Sequence, residues 1–368
     1  MVTARTLRLR DVRSYEREEL TLGPTLTVIH GPNGAGKTNL LEALYFACTG
    51  RSCRTSNGRE FIRFGQSTAR VELDVEAGDG VHELAVGFEP GTPRHVTADG
   101  GTVERLADVP FRPLACVFLP DDLELVKGSP GTRRDHVDRL VAGLWPARAG
   151  TRAEYSRALA QRNALLSRIR SGEGGRDSVA AWDLELGRHA IALRDTRLEA
   201  VEAIRGPAAE ISTDLGLPGG LEVSYRARSQ AQEPGEFAAE LAERLDGDLQ
   251  RGFTGHGPHR DELLLQRDGR ELRSYGSQGE QRLALLSLLL AEREALAESR
   301  GRPPLLLLDD VMSELDASRR ELLVDRVTRA GQTVMTTTDL AHVPLEGVQD
   351  ARTVAVESAR VVDGQPAR

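Results

Sequence analysis

The sequence predicts an α/β protein that carries an inserted helical lobe, and three features support this fold class. First, the segment LTVIHGPNGAGKTNLLEALYFAC contains an apolar strand, a glycine-rich turn and an amphipathic helix in succession. Second, the run Leu305–Leu308 is apolar without alternation, as in a strand that is buried on both faces of a parallel sheet. Third, apolar residues recur at helical spacing through much of the chain between these two segments.

The composition indicates a soluble protein with two domains. The chain has 368 residues, which is longer than one core usually reaches, and 39% of them are hydrophobic. No apolar run approaches the ~18 residues of a membrane span, and the first residues lack the apolar segment of a signal peptide. We therefore expect a cytoplasmic protein without a membrane partner. Cys48, Cys53 and Cys116 form no CxxC pair, which favours small buried side chains over a disulfide framework or a zinc site.

The charge pattern draws attention to one lysine. A net charge of −8 gives no support to general adhesion to nucleic acid, so a DNA surface would have to be a local basic patch. Of the 48 basic residues only Lys37 and Lys127 are lysine. A lysine ammonium on its flexible stem can reach between phosphate oxygens where a planar guanidinium does not fit. Lys37 lies inside the glycine-rich turn, where such a contact is needed.

The turn itself matches a phosphate-binding loop. Its backbone amides can hold the β-phosphate of a nucleotide at the N-terminus of the next helix, while Lys37 bridges the β- and γ-phosphates and the Thr38 hydroxyl binds Mg²⁺. The structural alternative is a glycine-capped turn without a ligand. We expect ATP and Mg²⁺ as cofactors and Lys37 as a catalytic residue. The predicted cofactor-binding residues of the turn are Gly31, Pro32, Asn33, Gly34, Ala35, Gly36, Lys37 and Thr38.

Two aspartates follow the second apolar strand. Asp309 and Asp310 come directly after Leu308, and the carboxyl end of a strand is where parallel sheets bind ligands. Asp309 is predicted to hold Mg²⁺ through water, and Asp310 is predicted to orient or deprotonate the attacking water. In the alternative interpretation one of the two aspartates only caps the next turn.

A further helix start precedes the acidic strand. Ser277, Gln278, Gly279 and Glu280 match the S-x-x-E capping box, which by itself explains a well-capped helix. The capping box does not explain Gly279, which lowers helix propensity but allows a phosphate to approach the amides. We therefore predict that Ser277, Gln278 and Gly279 contact the γ-phosphate of a nucleotide held by another copy of the chain.

The intervening chain is predicted to be helical. Ser129 is placed as the N-cap of a helix with Pro130 at its first position, and Asp268-Gly269 is typical of a hairpin turn. The apolar stripes show no sustained heptad pattern, so they predict a compact lobe and not a long coiled coil. The three stripes are Tyr155, Leu159, Leu166 and Ile169; Trp182, Leu186, Ala190 and Leu193; and Phe237, Leu241, Leu245 and Leu249.

The order of these motifs resembles that of the ABC-type ATPases of the SMC class, and within that class the RecF recombination mediators. The resemblance rests on LRDVRSYEREELTL, GPNGAGKTNLLEAL, GRSCRTSNGREFIRFG, FLPDDLELVKGSPGTRRDHVDRL, TGHGPHRDEL, YGSQGEQR, LLLLDDVMSELD and TTTD. It is weakest between about 147 and 250. Asp310 stands where many ABC ATPases have glutamate, and Thr336–Asp339 stands where many have a switch histidine. Both departures predict slow hydrolysis.

The resemblance implies an ABC-type P-loop ATPase domain in two parts, residues 1–126 and 251–368, around an inserted helical lobe at 127–250. It also implies a homodimer that forms on ATP binding, clamps double-stranded or gapped DNA, and helps RecO and RecR to place RecA there. Hydrolysis would release the clamp. His259 and Arg260 of the GPHRD block can contact either the nucleotide or DNA.

The sequence leaves open where a DNA surface would lie, and two other functional classes remain to be weighed. Arginine clusters can neutralise phosphates, but they can equally form a solvated face. An ATP-binding subunit of a transporter would leave the insertion unexplained, and an SMC-like partner of a nuclease would need a long coiled coil. The two clusters are Arg51, Arg54, Arg59 and Arg63, and, on the inserted helices, Arg157, Arg162, Arg168 and Arg170.

Overall fold

A computed structural model describes residues 2–366, apart from the side chains of residues 177, 314 and 363–366. The chain forms two compact units, one built from Met1–Asp122 and Leu296–Arg368 and the other from Leu123–Ala295. Residues 1, 367 and 368, which fall within the predicted domain bounds, lie outside the described residues.

Fifteen strands lie within the described residues. They are β1 (Thr3–Val12), β2 (Tyr15–Thr21), β3 (Leu26–His30), β4 (Ala69–Ala77), β5 (Gly80–Phe88), β6 (His95–Ala98), β7 (Gly101–Val103), β8 (Ala115–Phe118), β9 (Glu222–Arg226), β10 (Glu262–Arg267), β11 (Arg270–Glu271), β12 (Leu305–Leu308), β13 (Thr333–Thr337), β14 (Ala351–Glu357) and β15 (Arg360–Pro366).

Ten α-helices lie in the same part of the chain. They are α1 (Lys37–Thr49), α2 (Glu124–Lys127), α3 (Pro130–Leu144), α4 (Thr151–Arg170), α5 (Val179–Asp214), α6 (Pro234–Glu243), α7 (Leu245–Arg251), α8 (Leu272–Tyr275), α9 (Gln278–Arg300) and α10 (Ala317–Arg329).

The first unit contains two six-stranded sheets. One is antiparallel, with the order β2-β1-β4-β5-β6-β7, and the other has the order β15-β14-β3-β13-β12-β8. In the second sheet only the β14–β15 pair is antiparallel. The hydrophobic core is formed by the facing sides of the sheets and by α1, with Leu7 and Val71 from the first sheet, Ile29 and Val334 from the second and Leu44 from the helix. Strand β13 lies between β3 and β12, which places the two predicted motif strands one strand apart.

The strands that the sequence predicts for this unit are present. The segments RVELDVEA and HELAVGFE lie in β4 and β5, and PLACVFLP contains β8. The unalternated run Leu305–Leu308 is β12, all four of its residues are buried, and it is parallel to both neighbours. Burial on both faces explains why this strand has no polar position.

The second unit contains the long helices and a small sheet with the order β11-β10-β9. Ser129 caps α3 through its side chain, which accepts a hydrogen bond from the Thr132 amide, and Pro130 is the first helical residue, as predicted. Asp268 and Gly269 both have positive φ angles, 49° and 71°, as expected for the tight turn between β10 and β11. The core of this unit is formed by α4, α5 and α6.

Two details differ from the sequence prediction. Trp182, placed on a buried stripe, is 38% exposed. The stripe from Phe237 to Leu249 crosses two helices, since α6 ends at Glu243 and α7 begins at Leu245. The compact second unit ends at Ala295 and contains the β9–β10 pair. The division into an ATPase domain and an inserted lobe stays a prediction.

A buried ionic cluster lies inside the second unit. The Arg162 side chain is fully buried, and its Nε and Nη1 atoms donate to Asp183 at 2.6 Å and to Asp248 at 2.8 Å. Nη1 also lies 2.8 Å from the hydroxyl of Thr254. These contacts join α4 to α5 and α7. A buried ionic interaction therefore orients three helices, and each of its charged groups depends on the others for pairing.

We predict that Arg162→Met destabilises the protein by about 3–5 kcal/mol, because it leaves the buried Asp183 carboxylate without its cation and removes one of the two cations that Asp248 binds. Arg157→Met is the matched control, since Arg157 is on the same helix and exposed; it should change stability by less than about 0.5 kcal/mol. Urea denaturation of both variants measures the difference. Equal stability of the two variants would show that the cluster does not hold the helices together.

Candidate functional site

The glycine-rich turn between β3 and α1 is shaped by close contacts with neighbouring elements. Gly31 has a φ angle of 152°, and a Cβ atom there would lie 2.2 Å from the carbonyl oxygen of Val356. Gly36 has a φ angle of 112°, and a Cβ atom there would lie 2.6 Å from the hydroxyl of Tyr15. That hydroxyl donates to the Gly36 carbonyl at 3.2 Å. Glycine is therefore required at both positions for conformational and steric reasons.

The turn presents unpaired backbone donors. Ala35 is anchored on both sides, since its amide donates to the Pro32 carbonyl and its carbonyl accepts from the Ala359 amide. The amides of Asn33 and of four other residues have no acceptor among the described residues. Pro32 and Asn33 are exposed beside them. A helix N-terminus with free amides is suited to an anion. The four amides belong to Gly34, Gly36, Lys37 and Thr38.

The Lys37 side chain folds back over the turn. Its Nζ atom donates to the carbonyls of Gly31 at 2.7 Å and Pro32 at 3.0 Å. Burial lowers the pKa of Lys37, while the nearby charges of Asp310 and Asp309 act in the opposite direction. In the described part of the chain no carboxylate lies within ion-pair distance of Nζ. The ammonium is thus a buried cation whose protein partners are neutral.

The turn is connected directly to the acidic strand. The hydroxyl of Thr38 lies 2.9 Å from both carboxylate oxygens of Asp309. Asp309 Oδ1 also accepts from the hydroxyl of Thr336, at 2.7 Å. Burial raises the pKa of Asp309, and the hydrogen bonds from Thr336 and Thr38 oppose this shift. The structure therefore brings together the two side chains that the sequence predicts as metal ligands.

Asp310 is held in an unusual state. Its φ angle is 48°, in the left-handed region that costs free energy for a residue other than glycine. Its amide donates to the Thr336 hydroxyl at 3.0 Å, and its Oδ1 atom is buried without a hydrogen-bond partner within residues 2–366. Strain and an unpaired buried acceptor commonly mark a functional position, and here both belong to the predicted catalytic residue.

These features fit ATP and Mg²⁺. Free amides and a buried ammonium are suited to phosphate oxygens, and a hydroxyl beside one carboxylate is suited to Mg²⁺, which usually takes one or two protein oxygens and completes its shell with phosphate and water. Within the described residues there is no cluster of three or more histidine, cysteine or acidic side chains that could form a separate metal site.

The predicted signature residues lie in the second unit. Ser277, Gln278 and Gly279 are exposed at the start of α9. The capping box is formed, since the Ser277 amide donates to Glu280 at 2.7 Å and the Glu280 amide lies 3.3 Å from the Ser277 hydroxyl. A Cβ atom at Gly279 would meet no described atom within 4 Å, so neither packing nor a special φ angle explains this glycine. A phosphate contact stays a prediction.

Sequence reasoning missed a buried ionic network on α1. Glu42 is fully buried and accepts two hydrogen bonds from Arg13, each 2.8 Å long. Arg54 lies 3.4 Å from the same carboxylate and donates to Asn39 at 3.0 Å. Asn39 is the second residue after Lys37, so this network supports the helix that follows the turn. The one sequence signal is an acidic residue between the apolar residues Leu41 and Ala43.

The network changes the interpretation of the two arginine clusters. Arg54 and Arg63 are engaged in intramolecular ion pairs, Arg54 with Glu42 and Arg63 with Asp11 at 2.8 Å. The candidate role of Arg162 as a phosphate contact is wrong, because its side chain is fully buried in an ion pair. Arg51, Arg59, Arg157, Arg168 and Arg170 are exposed.

The two candidate residues of the GPHRD block, His259 and Arg260, differ in their burial and their contacts. His259 is half-buried, its Nδ1 atom lies 2.6 Å from the Tyr155 hydroxyl, and its Nε2 atom lies 3.0 Å from the Thr254 carbonyl. Desolvation lowers the pKa of His259 to about 4, so the ring is neutral at pH 7. Nε2 then donates to the carbonyl, and Nδ1 accepts from the tyrosine. Arg260 is exposed.

The chain resembles known proteins along most of its length. Residues 6–109 match a family described as an AAA domain. A DNA replication and repair protein RecF from Anaeromyxobacter sp. (strain Fw109-5) is 42% identical over 346 residues, covering 91% of this chain and 92% of that protein. A RecF protein from Acetivibrio thermocellus is 32% identical over 362 residues, covering 96% of this chain and 97% of that protein. No helix within residues 2–366 is long and apolar enough to cross a membrane.

Solved structures agree with the sequence relatives. The recombination mediator protein RecF of the RecFOR pathway, as RecF-ATP, matches with a TM-score of 0.84 and 26% identity over 99% of this chain and 98% of that chain. An SMC head domain from Pyrococcus furiosus matches with a TM-score of 0.60 at 17% identity, covering 100% of this chain and 97% of that chain, which shows the fold alone. The predicted ATPase fold is confirmed, and the shared sequence over nine-tenths of the length shows that this chain belongs to the RecF family.

Proposed function

We propose that this chain is an ATP-dependent DNA-binding recombination mediator of the RecF type, in which ATP closes a homodimer on DNA. The observation that carries the proposal is the contact between Thr38 and Asp309, which joins the phosphate-binding turn to the acidic strand beside the Lys37 ammonium. The RecF-ATP structure supports ATP as the ligand. The family name of the relatives supports a role in DNA replication and repair.

Each side chain of the site has a separate role in this proposal. Lys37 exchanges its two carbonyl partners for phosphate oxygens, and Thr38 and Asp309 hold Mg²⁺. When bound, Mg²⁺ neutralises charge on the phosphates during hydrolysis. Asp310 keeps one carboxylate oxygen free to orient a water molecule and to accept its proton. An aspartate is shorter than the glutamate of many ABC ATPases, and this supports slow hydrolysis and the use of ATP as an assembly switch.

The second copy of the chain supplies the remaining phosphate contact. Ser277, Gln278 and Gly279 are exposed at the positive end of a helix of 23 residues, and the space beside Gly279 is open among the described atoms. We place these amides against the γ-phosphate of ATP held by the partner copy. ATP then joins two protomers, and hydrolysis separates them.

The cellular role follows from the family. The similar solved structure belongs to the RecFOR pathway. We infer that the dimer binds double-stranded DNA beside a single-stranded gap in the cytoplasm, and that RecR and RecO act with it to place RecA. Gel-shift titrations with gapped, duplex and single-stranded DNA, with and without ATP, test this function. Affinity that does not respond to ATP would contradict the clamp.

We predict that Lys37→Met weakens ATP binding by about 10- to 100-fold, as expected when a charge-assisted contact worth about 1.5–3 kcal/mol is lost. ATP-dependent DNA binding should fall with it. Lys127→Met is the matched control, because Lys127 is the only other lysine of the chain and is exposed. Isothermal titration with ATP and Mg²⁺ measures both variants, and equal affinities would remove the nucleotide site from this turn.

We predict that the two aspartates separate binding from hydrolysis. Asp310→Asn should keep ATP and Mg²⁺ binding and trap the dimer, because the amide cannot accept the proton from water. Asp309→Asn should weaken Mg²⁺ binding and lower both nucleotide retention and turnover, because it removes the charge that faces the metal. Size-exclusion chromatography with ATP and a steady-state phosphate-release assay distinguish the variants. The same phenotype from both substitutions would contradict this division of roles.

We predict that Ser277→Arg binds ATP normally but stays monomeric, hydrolyses poorly and fails to clamp DNA. Ser277→Ala is the control, since it removes the cap at a cost of roughly 1 kcal/mol without adding bulk and should still dimerise. A mixture of Ser277→Arg and Lys37→Met chains can assemble one intact site from two copies, so it should hydrolyse ATP faster than the sum of the separate variants. ATP-dependent dimers of Ser277→Arg alone would leave Ser277 with its capping role only.

A further inference from the structure

The loop after α7 exposes an aromatic ring between arginines. Gly252 ends the helix with a left-handed φ angle of 77°, and the chain then turns into Phe253, which is 40% exposed. The guanidinium carbons of Arg251 and Arg260 each lie 5.9 Å from the centre of the Phe253 ring. A flat apolar surface therefore lies in water with positive charge at its edges.

Two more arginines reach the same loop. Arg170 donates from Nη1 to the carbonyl of Arg251 at 3.1 Å, and Arg228 donates from Nε to the carbonyl of Arg260 at 3.2 Å. Arg170, Arg228 and Arg260 are exposed, and none of them has a carboxylate partner in the part of the chain that the structure describes. The surface around Phe253 thus carries an excess of positive charge on a protein whose net charge is −8.

Two buried carboxylates lie close to this loop. Asp261 accepts from the backbone amide of Arg228 at 2.7 Å and forms no ion pair in the part of the chain that the structure describes. Asp248 accepts from Arg251 at 2.8 Å, but the same buried carboxylate also accepts from Arg162 at 2.8 Å. Its charge is therefore shared between two guanidinium groups. His259, which is half-buried beside this loop, adds no negative charge and stays neutral, with a pKa lowered mainly by desolvation and further by Arg260.

A purely structural role explains only part of the arrangement. Cation–π contacts at exposed sites contribute about 0.5–1 kcal/mol each and fall off near 6 Å, so arginines at 5.9 Å give the ring little stabilisation. The ring also remains 40% exposed in spite of them.

The chemistry of the surface selects one kind of partner. Proteins that hold single-stranded nucleic acid combine aromatic rings, on which bases stack, with basic groups that follow the phosphates. In a duplex the bases stack on one another, so their faces are not available to stack on the Phe253 ring. An acidic peptide needs the guanidinium groups but not a flat apolar face. Unpaired nucleotides use both parts of the surface.

We propose that Phe253, Arg260, Arg228 and Arg170 form a binding site for an unpaired nucleotide of single-stranded DNA. The base stacks on the Phe253 ring, and the guanidinium groups of the arginines hold the adjoining phosphates. This inference rests on the proposed function, since it supplies the part of the protein that recognises the single-stranded side of a gap. The ATP site and the duplex clamp are not required to form it.

The test uses the full chain and DNA that carries 2-aminopurine, a fluorescent adenine analogue, at one unpaired position. Single-stranded and gapped DNA carry the probe, and a fluorescein-labelled duplex of the same length reports duplex binding. Stacking on an aromatic ring should quench 2-aminopurine in complexes with the unaltered protein. Phe253→Ala and Phe253→Leu should each lose the quenching and weaken single-strand affinity by about 5- to 100-fold, with duplex affinity unchanged within about twofold.

Control variants show whether a loss of signal is specific to the Phe253 ring. They exclude a general effect of removing an exposed ring and an effect of misfolding. Phe64→Ala should leave every signal unchanged, because Phe64 is fully exposed but lies in the first unit. Arg260→Gln should reduce the slope of log affinity against log salt for single strands by about 0.7, as expected for one lost phosphate contact. A far-UV circular dichroism spectrum and a urea-unfolding midpoint equal to those of the unaltered protein show that each variant is folded.

Two outcomes would overturn the inference. Wild-type quenching and single-strand affinity in both Phe253 variants would overturn it. Equal losses for duplex and single-stranded DNA would also overturn it, because the surface would then bind phosphates without reading unpaired bases. A failure of the proposed function is distinguishable, since in that case the unaltered protein would show no ATP-dependent gain in duplex affinity, whereas single-strand quenching is measured without ATP.

Discussion

The hydrogen bond between Thr38 and Asp309 is the interaction on which the candidate site depends, and the parallel sheet is what makes it possible. The two residues are 271 positions apart in the chain. They meet because β3 and β12 run in the same direction on either side of β13, so their carboxyl ends open at one edge. The Thr336 hydroxyl on β13 donates to the Asp309 carboxylate and accepts from the Asp310 amide, so both aspartates are tied to the strand between β3 and β12.

The site contains a strained backbone and poorly paired buried groups, and the hydrophobic core of the first unit has to offset their unfavourable free energy. Asp310 has a left-handed backbone and an unpaired buried oxygen, and Lys37 is buried with carbonyl groups as its partners. The unpaired oxygen and the buried ammonium gain partners when water and phosphate are present, whereas the backbone strain of Asp310 has to be offset by the surrounding packing. Such a site gains more from ligand binding than a relaxed one, which is what the proposed use of ATP as an assembly switch requires.

Arginine has structural roles in this chain that its density alone does not reveal. Arg162 orients three helices from inside the second unit, and Arg13 and Arg54 hold Glu42 on the helix that follows the glycine-rich turn. A planar guanidinium can satisfy two carboxylates or one carboxylate and a carbonyl at once, which suits it to buried positions. The excess of positive charge around Phe253 is different, because the exposed guanidinium groups of Arg170, Arg228 and Arg260 have no carboxylate partner within residues 2–366 and lie around an aromatic ring.

The sequence alone determined the features that depend on local sterics and periodicity: the glycines of the turn, the Ser129–Pro130 helix start, the Asp268-Gly269 hairpin and the unalternated strand before Asp309. Its motif order also identified the family. Only the tertiary structure decided which polar groups meet, because hydrogen-bond partners such as Thr336 and Asp309 lie on different strands. It likewise decided which arginines are buried and that Phe253 is exposed, since burial depends on contacts between helices that no local pattern encodes.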